Sequence, residues 1–422
     1  TDENVPQALS GYRPRISGTY NYGIAWSETT TEVQVPAFIN GNAATIGSRS
    51  RQVSTFTPAA YGATLTQTLF NGFQTGNRTR QAEAQVFAAR ETLRTIEQTV
   101  LLDAATAYMN VLRDTAIYDL QRRNVEVLQE QLRQTRDRFN VGEVTRTDVA
   151  QAESRVAAGQ SQMLTAQANL TTSRAVYRRV IGLDPGKLTA GTPVDRLSPR
   201  TLDLAVAQGQ TENPSVNAAE YGVDVAQLQV KVNEGALYPT VTVTGSAQQA
   251  YNQSDSLMRS MSASIIGQLT VPIYQGGSEY SLIRQAKETV GQRRLELAIN
   301  RDQARANVVQ AWGQLDAAKA QIDATKSQVT AAEIALNGVR EEARVGQRTT
   351  LDVLNAQQEL VNARVALVTA QRDRVVASYA LLSACGRLAI PVLGLQVPLY
   401  DPMVHYQQVR DAWIGIRTPD GR

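Results

Sequence analysis

Leu69-Phe70-Asn71-Gly72-Phe73 decides how this chain is read, because it is written twice. Add 204 to each number and Ile273-Tyr274-Gln275-Gly276-Gly277 stands there. The same offset carries Arg80-Gln81-Ala82 to Arg284-Gln285-Ala286 and Val141-Gly142 to Val345-Gly346. It also carries Asp148-Val149 to Asp352-Val353, Thr165-Ala166-Gln167 to Thr369-Ala370-Gln371, and Gly182 to Gly386. Loops tolerate insertions and packed helices do not. An offset that holds from Leu69 to Gly182 therefore describes two rigid copies kept in one register.

Each copy begins with strands. From Gly11-Tyr12-Arg13-Pro14 onward, Ile16, Gly18, Tyr20, Tyr22, Ile24 and Trp26 fall on one face. Ser17, Thr19, Asn21, Gly23, Ala25 and Ser27 fall on the other, a period-two pattern. A sandwich strand could carry it, but tyrosines and a terminal Trp on the apolar side suit a strand facing lipid. Residues 28–51 are rich in Thr, Ser, Asn and Gly without a usable period, and are expected to be a long polar loop. A return strand is expected from Thr55 to Phe70. The second copy repeats the hairpin from Pro239 to Tyr251 and from Met261 to Tyr274, with a shorter connection.

After each hairpin the chain runs without proline, from Thr75 to Asn140 and from Ser278 to Arg344. As helices these would each be about 100 Å long. Val308, Ala311, Leu315, Ala318, Ile322, Thr325, Val329, Ala332, Leu336 and Val339 alternate gaps of three and four, a coiled-coil seam. Gly142 and Gly346 suit C-terminal caps with positive φ. The returning helices carry matching seams, Val149 to Val180 in one copy and Val353 to Ala384 in the other. The proline-containing segments after Gly182 and Gly386 read as irregular and wrapped over the helices. Leu202 to Val232 reads as helix, interrupted near Asn213-Pro214.

The fold class read from these elements is α+β membrane protein, in two tandem repeats. Each repeat is a β-hairpin followed by long antiparallel coiled-coil helices. The segments are 12–70, first hairpin; 71–182, first helical hairpin with its tip near 140–148; 183–238, connecting segment and helix. They continue with 239–275, second hairpin; 276–386, second helical hairpin with its tip near 344–352; and 387–422, C-terminal segment. Four strands cannot close a barrel, and a barrel in lipid must close. Three chains would give 12 strands, whereas two would give a narrow eight-stranded one.

Composition excludes several classes. The charge of +3 comes from 42 basic and 39 acidic residues dispersed along the helices, with no basic patch for nucleic acid. One cysteine, Cys385, and one histidine, His405, cannot make a disulfide or a Cys/His metal site, and both read as structural. No Ser/His/Asp arrangement, phosphate loop or metal cluster is present, so no catalytic residue, cofactor or metal is expected. Gly72, Gly276 and Gly277 read as strand-to-helix junction glycines. No run of apolar residues is long enough for a membrane helix. Thr1-Asp2-Glu3-Asn4 has neither the basic flank nor the apolar core of a secretory signal. A helix precedes the second hairpin, and its counterpart has no room before Pro14. Roughly one more helix is therefore expected upstream of residue 1.

The chain resembles the TolC family of outer-membrane channels. The resemblance rests on the two junctions above and on the tips, Arg138-Phe139-Asn140-Val141-Gly142 with Thr147-Asp148-Val149, and Arg344-Val345-Gly346 with Leu351-Asp352-Val353-Leu354-Asn355-Ala356-Gln357. Asn213-Pro214 and Leu237-Tyr238-Pro239 also fit. It implies a homotrimer, a 12-strand β-barrel in outer-membrane lipid continuous with an α-helical barrel in the periplasm of a Gram-negative bacterium. Its implied partners are a periplasmic adaptor and an inner-membrane transporter, ABC or proton-driven. The implied work is type I protein secretion or multidrug efflux.

The resemblance also assigns the tips. Asp352 takes the position of a pore-constricting acid, and the family's second acid is Asn355 here. Arg348, Thr147 and Asp148 match a closed-state link, whereas the linking tyrosine is Ala343. Val141, Gly142, Val345 and Gly346 form the turns on which an adaptor would dock. From the residues alone, Thr145 to Asp148 and Thr349 to Asp352 fit helix capping boxes, and the two roles can coexist. The competing readings are a periplasmic coiled-coil adaptor, which does not need two strand hairpins, and a cytoplasmic scaffold, which leaves the alternating strands unexplained.

Overall fold

The computed structural model describes residues 1–39, 42–254 and 257–418. In chain order the elements are α1 (Asn4–Leu9), β1 (Arg15–Tyr22), β2 (Ala25–Ile39), β3 (Asn42–Phe56), β4 (Ala59–Asn71), α2 (Gln74–Asn140) and α3 (Arg146–Ile181). Then come α4 (Leu202–Glu212), α5 (Pro214–Glu234), β5 (Thr240–Ser254), β6 (Leu257–Thr270), α6 (Ser278–Arg344), α7 (Thr350–Ala384), α8 (Ile390–Leu393) and α9 (Pro402–Arg410). Both outgoing helices, α2 and α6, have 67 residues, as the constant offset requires. The chain forms two compact units: residues 1–86, 222–293 and 402–422, and residues 87–221 and 294–401.

The first unit holds the strands. β1, β4, β5 and β6 form one antiparallel sheet in that order. Its register stacks like with like. Ile16 lies opposite Leu65, then Gly245 and Ile265, and Tyr20 lies opposite Tyr61, then Gln249 and Met261. On the other face Ser17 lies opposite Thr64, then Ser246 and Ser264, and Thr19 opposite Gly62, then Gln248 and Ser262. One face is thus apolar and aromatic, the other nearly all hydroxyl and amide. No described element covers the apolar face: Ile16 is 73% exposed and Ile265 84%. A sheet with this pattern in water would expose a large apolar patch, which marks a surface for lipid or protein.

The expected polar loop over 28–51 is corrected by the structure. The described residues of that stretch, 28–39 and 42–51, lie in β2 and β3, which pair with each other antiparallel as a separate two-stranded sheet, and the rest of the expected loop lies outside the described residues. Over residues 28–36 and 45–51 both faces are solvated, so no apolar alternation marks them. What holds them is β-branched content and charge. Glu32 lies directly opposite Arg49 and is paired with it, and Glu28 is paired with Arg51. The first strand is also shorter than expected, because it breaks at Gly23-Ile24, where the Gly23 amide donates to the Pro58 carbonyl. β6 ends at Thr270 rather than at Tyr274.

At the junction after β4, Gly72 and Phe73 both adopt φ +63°. A Cβ on Gly72 would sit 2.1 Å from the Gly235 carbonyl oxygen, so only glycine fits. Phe73 holds its left-handed conformation with its ring edge-on to Phe70 and Tyr238. Asn71 Nδ2 donates to Thr75 Oγ1 at 2.7 Å and its Oδ1 accepts from the Thr75 amide, capping α2. After β6 the corresponding pair, Gly276 and Gly277, also has positive φ, with nothing within 4 Å. α1 packs beneath this end through Val5, against Ala82, Val86 and Tyr406. His405 Nδ1 lies 3.0 Å from Asp2 Oδ2, a structural contact. The helix expected upstream of residue 1 lies outside the described residues.

The second unit is helical. The α6 seam is buried or half-buried at every expected position from Val308 to Val339. It meets α7 at Leu360 and Ala363, opposite Ala332 and Leu336. α3 returns along α2 in the same manner, with Leu170 and Tyr177 against Ala107 and Val111. α7 has a second buried stripe that the heptad reading misses: Leu354, Gln357, Val361, Val375, Ser378 and Leu382. It brings the two copies together, with Leu354 packed among Leu128, Ala152 and Val156. The segment after α3 is laced to the helices, as Thr189 accepts from the Tyr108 hydroxyl at 2.7 Å and Val194 donates to Ser378 Oγ at 3.1 Å. Cys385 is fully buried beside Ala205 and Leu381, and burial pushes its thiol pKa up to about 11. No described helix is long and apolar enough to cross a membrane.

Candidate functional site

The tips of the two helical hairpins are built alike. α2 stops because Gly142 takes φ +83°, letting its amide reach the Phe139 carbonyl and the Glu143 amide reach the Arg138 carbonyl. That paired bonding satisfies the last carbonyls of the helix. Gly346, with φ +79°, repeats it: its amide bonds Ala343, and the Gln347 amide bonds Glu342. Val141 and Val345 are 74% and 72% exposed, so each turn presents one apolar side chain to solvent.

The returning helices start with full capping boxes. The Thr145 amide and hydroxyl donate to Asp148 Oδ2 at 2.9 and 2.7 Å, and the Asp148 amide donates back to Thr145 Oγ1 at 3.3 Å. The Thr349 amide and hydroxyl donate to Asp352 Oδ2 at 3.0 and 2.9 Å, and the Asp352 amide returns at 3.2 Å. Hydrogen bonds from the Thr145 hydroxyl and then its amide hold the Asp148 carboxyl below its usual pKa. For Asp352 the Thr349 amide comes first and the hydroxyl second. Both carboxylates are therefore anionic at neutral pH. One oxygen of each serves the cap, and the other is left for whatever lies beyond the helix end.

The remaining tip residues find local partners. Arg348 Nε donates to Glu342 Oε2 at 2.8 Å, so within the chain its bond goes to Glu342 and not to Thr147 or Asp148. Arg138 Nε donates to Glu143 Oε2, also at 2.8 Å. Arg138 and Glu342 occupy the same place in the two copies with opposite charge, and each recruits an opposite partner from its own turn. Thr147 is exposed. Asn355 is tied across the copies, its Oδ1 accepting from Arg155 at 2.5 Å. Gln357 accepts from Arg340 at 3.1 Å and donates to Asn124 at 3.3 Å. Arg155 and Asn124 escape sequence reasoning because their partners lie far along the chain, and Arg340 because its partner lies across the tip on the returning helix. Between the two tips lies a cleft of about 550 Å³, lined by Arg138, Glu143, Asp148, Arg340, Arg344 and Arg348 among others. Among the described residues no group of His, Cys, Asp and Glu could hold a metal ion.

A sheet whose apolar face no described element covers suits the lipid-facing wall of an outer-membrane channel. The comparisons agree. The family described as "Outer membrane efflux protein" matches residues 1–183 and again 206–387, one match for each copy, and the chain belongs to that family. The outer membrane efflux protein BepC of Brucella suis is 43% identical over 422 residues, covering 100% of this chain and 87% of BepC. The alkaline protease secretion protein AprF of Pseudomonas aeruginosa is 26% identical over 375 residues, covering 86% of this chain and 74% of that protein. In fold, the Campylobacter jejuni CmeC outer membrane channel matches with a TM-score of 0.74 at 16% identity, covering 96% of this chain and 83% of that one. The chain is thus a TolC-like efflux or secretion channel of the Gram-negative outer membrane, extending into the periplasm, and a transport protein rather than an enzyme. Channels of this family form trimers.

Proposed function

We propose that three copies of this chain close a 12-strand barrel, β6 of one protomer pairing with β1 of the next, and that the duct exports cargo passed on by a periplasmic adaptor and an inner-membrane transporter. The observation that carries this reading is the sheet. Its apolar face is uncovered, and β1 and β6 each pair on one side only among the described residues. Open edges in lipid leave unpaired backbone groups, so closure needs further strands. Gly72, Gly276 and Gly277 turn the strands into the helical wall. The exposed tip turns at Val141-Gly142 and Val345-Gly346, with the charged cleft between them, offer the adaptor a matching surface in each chain.

The gate lies at the tips. Asp352 from three chains forms an anionic ring at the periplasmic mouth, single because the next position is Asn355. Arg348, Thr147 and Asp148 hold that mouth closed in this reading, with Arg348 exchanging Glu342 for a neighbouring chain's Asp148. A ring of carboxylates attracts cations and repels anions. Asp352→Asn keeps an oxygen for the Thr349 cap while removing the charge. It is expected to lower the cation-to-anion permeability ratio in planar-bilayer recordings by on the order of fivefold, about 1 kcal/mol of lost attraction. An unchanged ratio removes Asp352 from the pore lining.

The likeness to BepC favours small toxic compounds as cargo, and the weaker likeness to AprF keeps protein secretion as the second reading. Deleting the gene is expected to raise susceptibility to dyes and detergents while leaving secreted protein unchanged. Loss of a secreted protein with unchanged susceptibility reverses the assignment.

A further inference from the structure

Among the described residues, the apolar face of the four-stranded sheet carries one charged side chain, Arg259 of β6. Its surroundings are aromatic. Tyr22 pairs with Ala59, Ala59 with Tyr251 and Tyr251 with Arg259, so these side chains share a row on one face. The next row on that face holds Tyr20, Tyr61, Gln249 and Met261. The Gln249 amide fits its neighbours in one orientation: its nitrogen donates to the Tyr61 hydroxyl at 2.9 Å, and its oxygen accepts from Arg259 Nε at 2.7 Å and Nη2 at 2.9 Å. A neutral amide oxygen therefore orients the guanidinium, and no carboxylate among the described residues is bonded to it. Among the described residues, three of its five N–H donors have no partner.

The level of Arg259 on the sheet follows from counting residues. From Leu269, near the strand-to-helix junction, to Arg259 is about 33 Å along the strand, or about 25 Å in height at a tilt of roughly 40°. That is the height of the lipid-facing band of an outer-membrane barrel. Phe70, Phe73 and Tyr238 cluster at the junction end, and Tyr20, Tyr22, Tyr61 and Tyr251 at the other. Between them the face holds Ile16, Leu65, Ile265 and small residues. Arg259 thus stands in the outer aromatic girdle, at headgroup level. Beside it is a depression of about 530 Å³ lined by Gly18, Ala63 and Ala247 with Tyr20, Tyr61 and Met261.

We propose that Arg259 and this depression seat one phosphorylated glycolipid of the outer leaflet, its phosphate on the guanidinium and an acyl chain in the depression. Arginine's planar fork matches phosphate oxygens, and small side chains framed by rings leave room for a hydrocarbon chain. The proposal rests on the outer-membrane barrel reading, yet the seat lies within the sheet of a single chain. Purified protein in detergent is mixed with bisphosphorylated lipid A or with enzymatically dephosphorylated lipid A of the same acyl chains, and retained lipid is counted by native mass spectrometry. The phosphorylated form is expected to be retained about fivefold better, the value of one cation near a charged lipid surface. Arg259→Gln should bring the two lipids to parity, Arg259→Lys should keep part of the preference, and millimolar inorganic phosphate should displace neither. Equal retention by the unaltered protein, a preference surviving in Arg259→Gln, or displacement by inorganic phosphate alone overturns the proposal. The number of chains, read from the same spectra, reports separately on the trimer.

Discussion

Gly72→Ala is expected to remove most of the folded protein from the outer membrane, while the equivalent change in the second copy, Gly276→Ala, leaves most of it in place. Both glycines have positive φ, +63° and +72°. Each substitution therefore carries the left-handed penalty of about 1–2 kcal/mol. They differ in what a Cβ meets. At Gly72 it would lie 2.1 Å from the Gly235 carbonyl oxygen and 2.8 Å from Tyr238 Cβ, and at Gly276 nothing lies within 4 Å. The Gly235 backbone cannot yield easily, because it closes the turn leading into β5 and packs against Gln74 as well. Overpacking of this kind adds about 1–3 kcal/mol or more to the strain, which together approach the whole stability of a marginal fold. The comparison is read as the amount of each variant in outer-membrane fractions, against the unaltered protein. Equal yields of the two variants would show that Gly72 and Gly235 do not touch.

The second large effect is expected at Leu381. This residue is fully buried where α7 meets α4 and α6, packed with Ala205, Val308 and Cys385. Leu381→Ala leaves a cavity whose walls are held by three helices, so little collapse is available. A loss of about 2–5 kcal/mol follows. Leu164→Ala provides the control, because Leu164 on α3 is 59% exposed and its truncation should shift stability by less than about 0.5 kcal/mol. Denaturant midpoints of the two variants in detergent decide the matter. A Leu381→Ala midpoint as high as that of Leu164→Ala would mean that α7 is not the buried helix described above.

Much of this fold is legible in the sequence for a physical reason. A long seam with alternating gaps of three and four can be satisfied only by helix pairs, and glycine at a helix end has one common use. The seam from Val308 to Val339 and the caps at Gly142 and Gly346 follow directly. Strands β1, β4, β5 and β6 are legible because one face is apolar and the other is not. β2 and β3 are not legible in that way, since water lies on both of their faces and only the spacing of Glu28 and Glu32 against Arg49 and Arg51 encodes the pairing. The second buried stripe of α7 is hidden because it interleaves with the first and includes Gln357 and Ser378, which read as surface residues. The difference between Gly72 and Gly276 is invisible in sequence, where both stand at the same place in the repeat.

The candidate site was legible in kind rather than in detail. Thr145 with Asp148 and Thr349 with Asp352 are recognisable capping boxes, and the structure has both. The pairing of Arg348 with Glu342 is not legible, because the competing carboxylate sits across the tip turn at the end of α6. The link from Arg155 to Asn355 joins residues two hundred positions apart, and nothing near either of them announces it.

This chain is expected to become a channel only as a ring of three, because four strands paired on one side at each edge cannot close around a pore. The most direct test is the mass of the protein extracted from outer membranes in mild detergent and measured by native mass spectrometry. A species of three chains of 45.9 kDa each is expected. Heating is expected to shift this species to single chains as the barrel opens. A species of one or two chains in the unheated sample would contradict the ring of three.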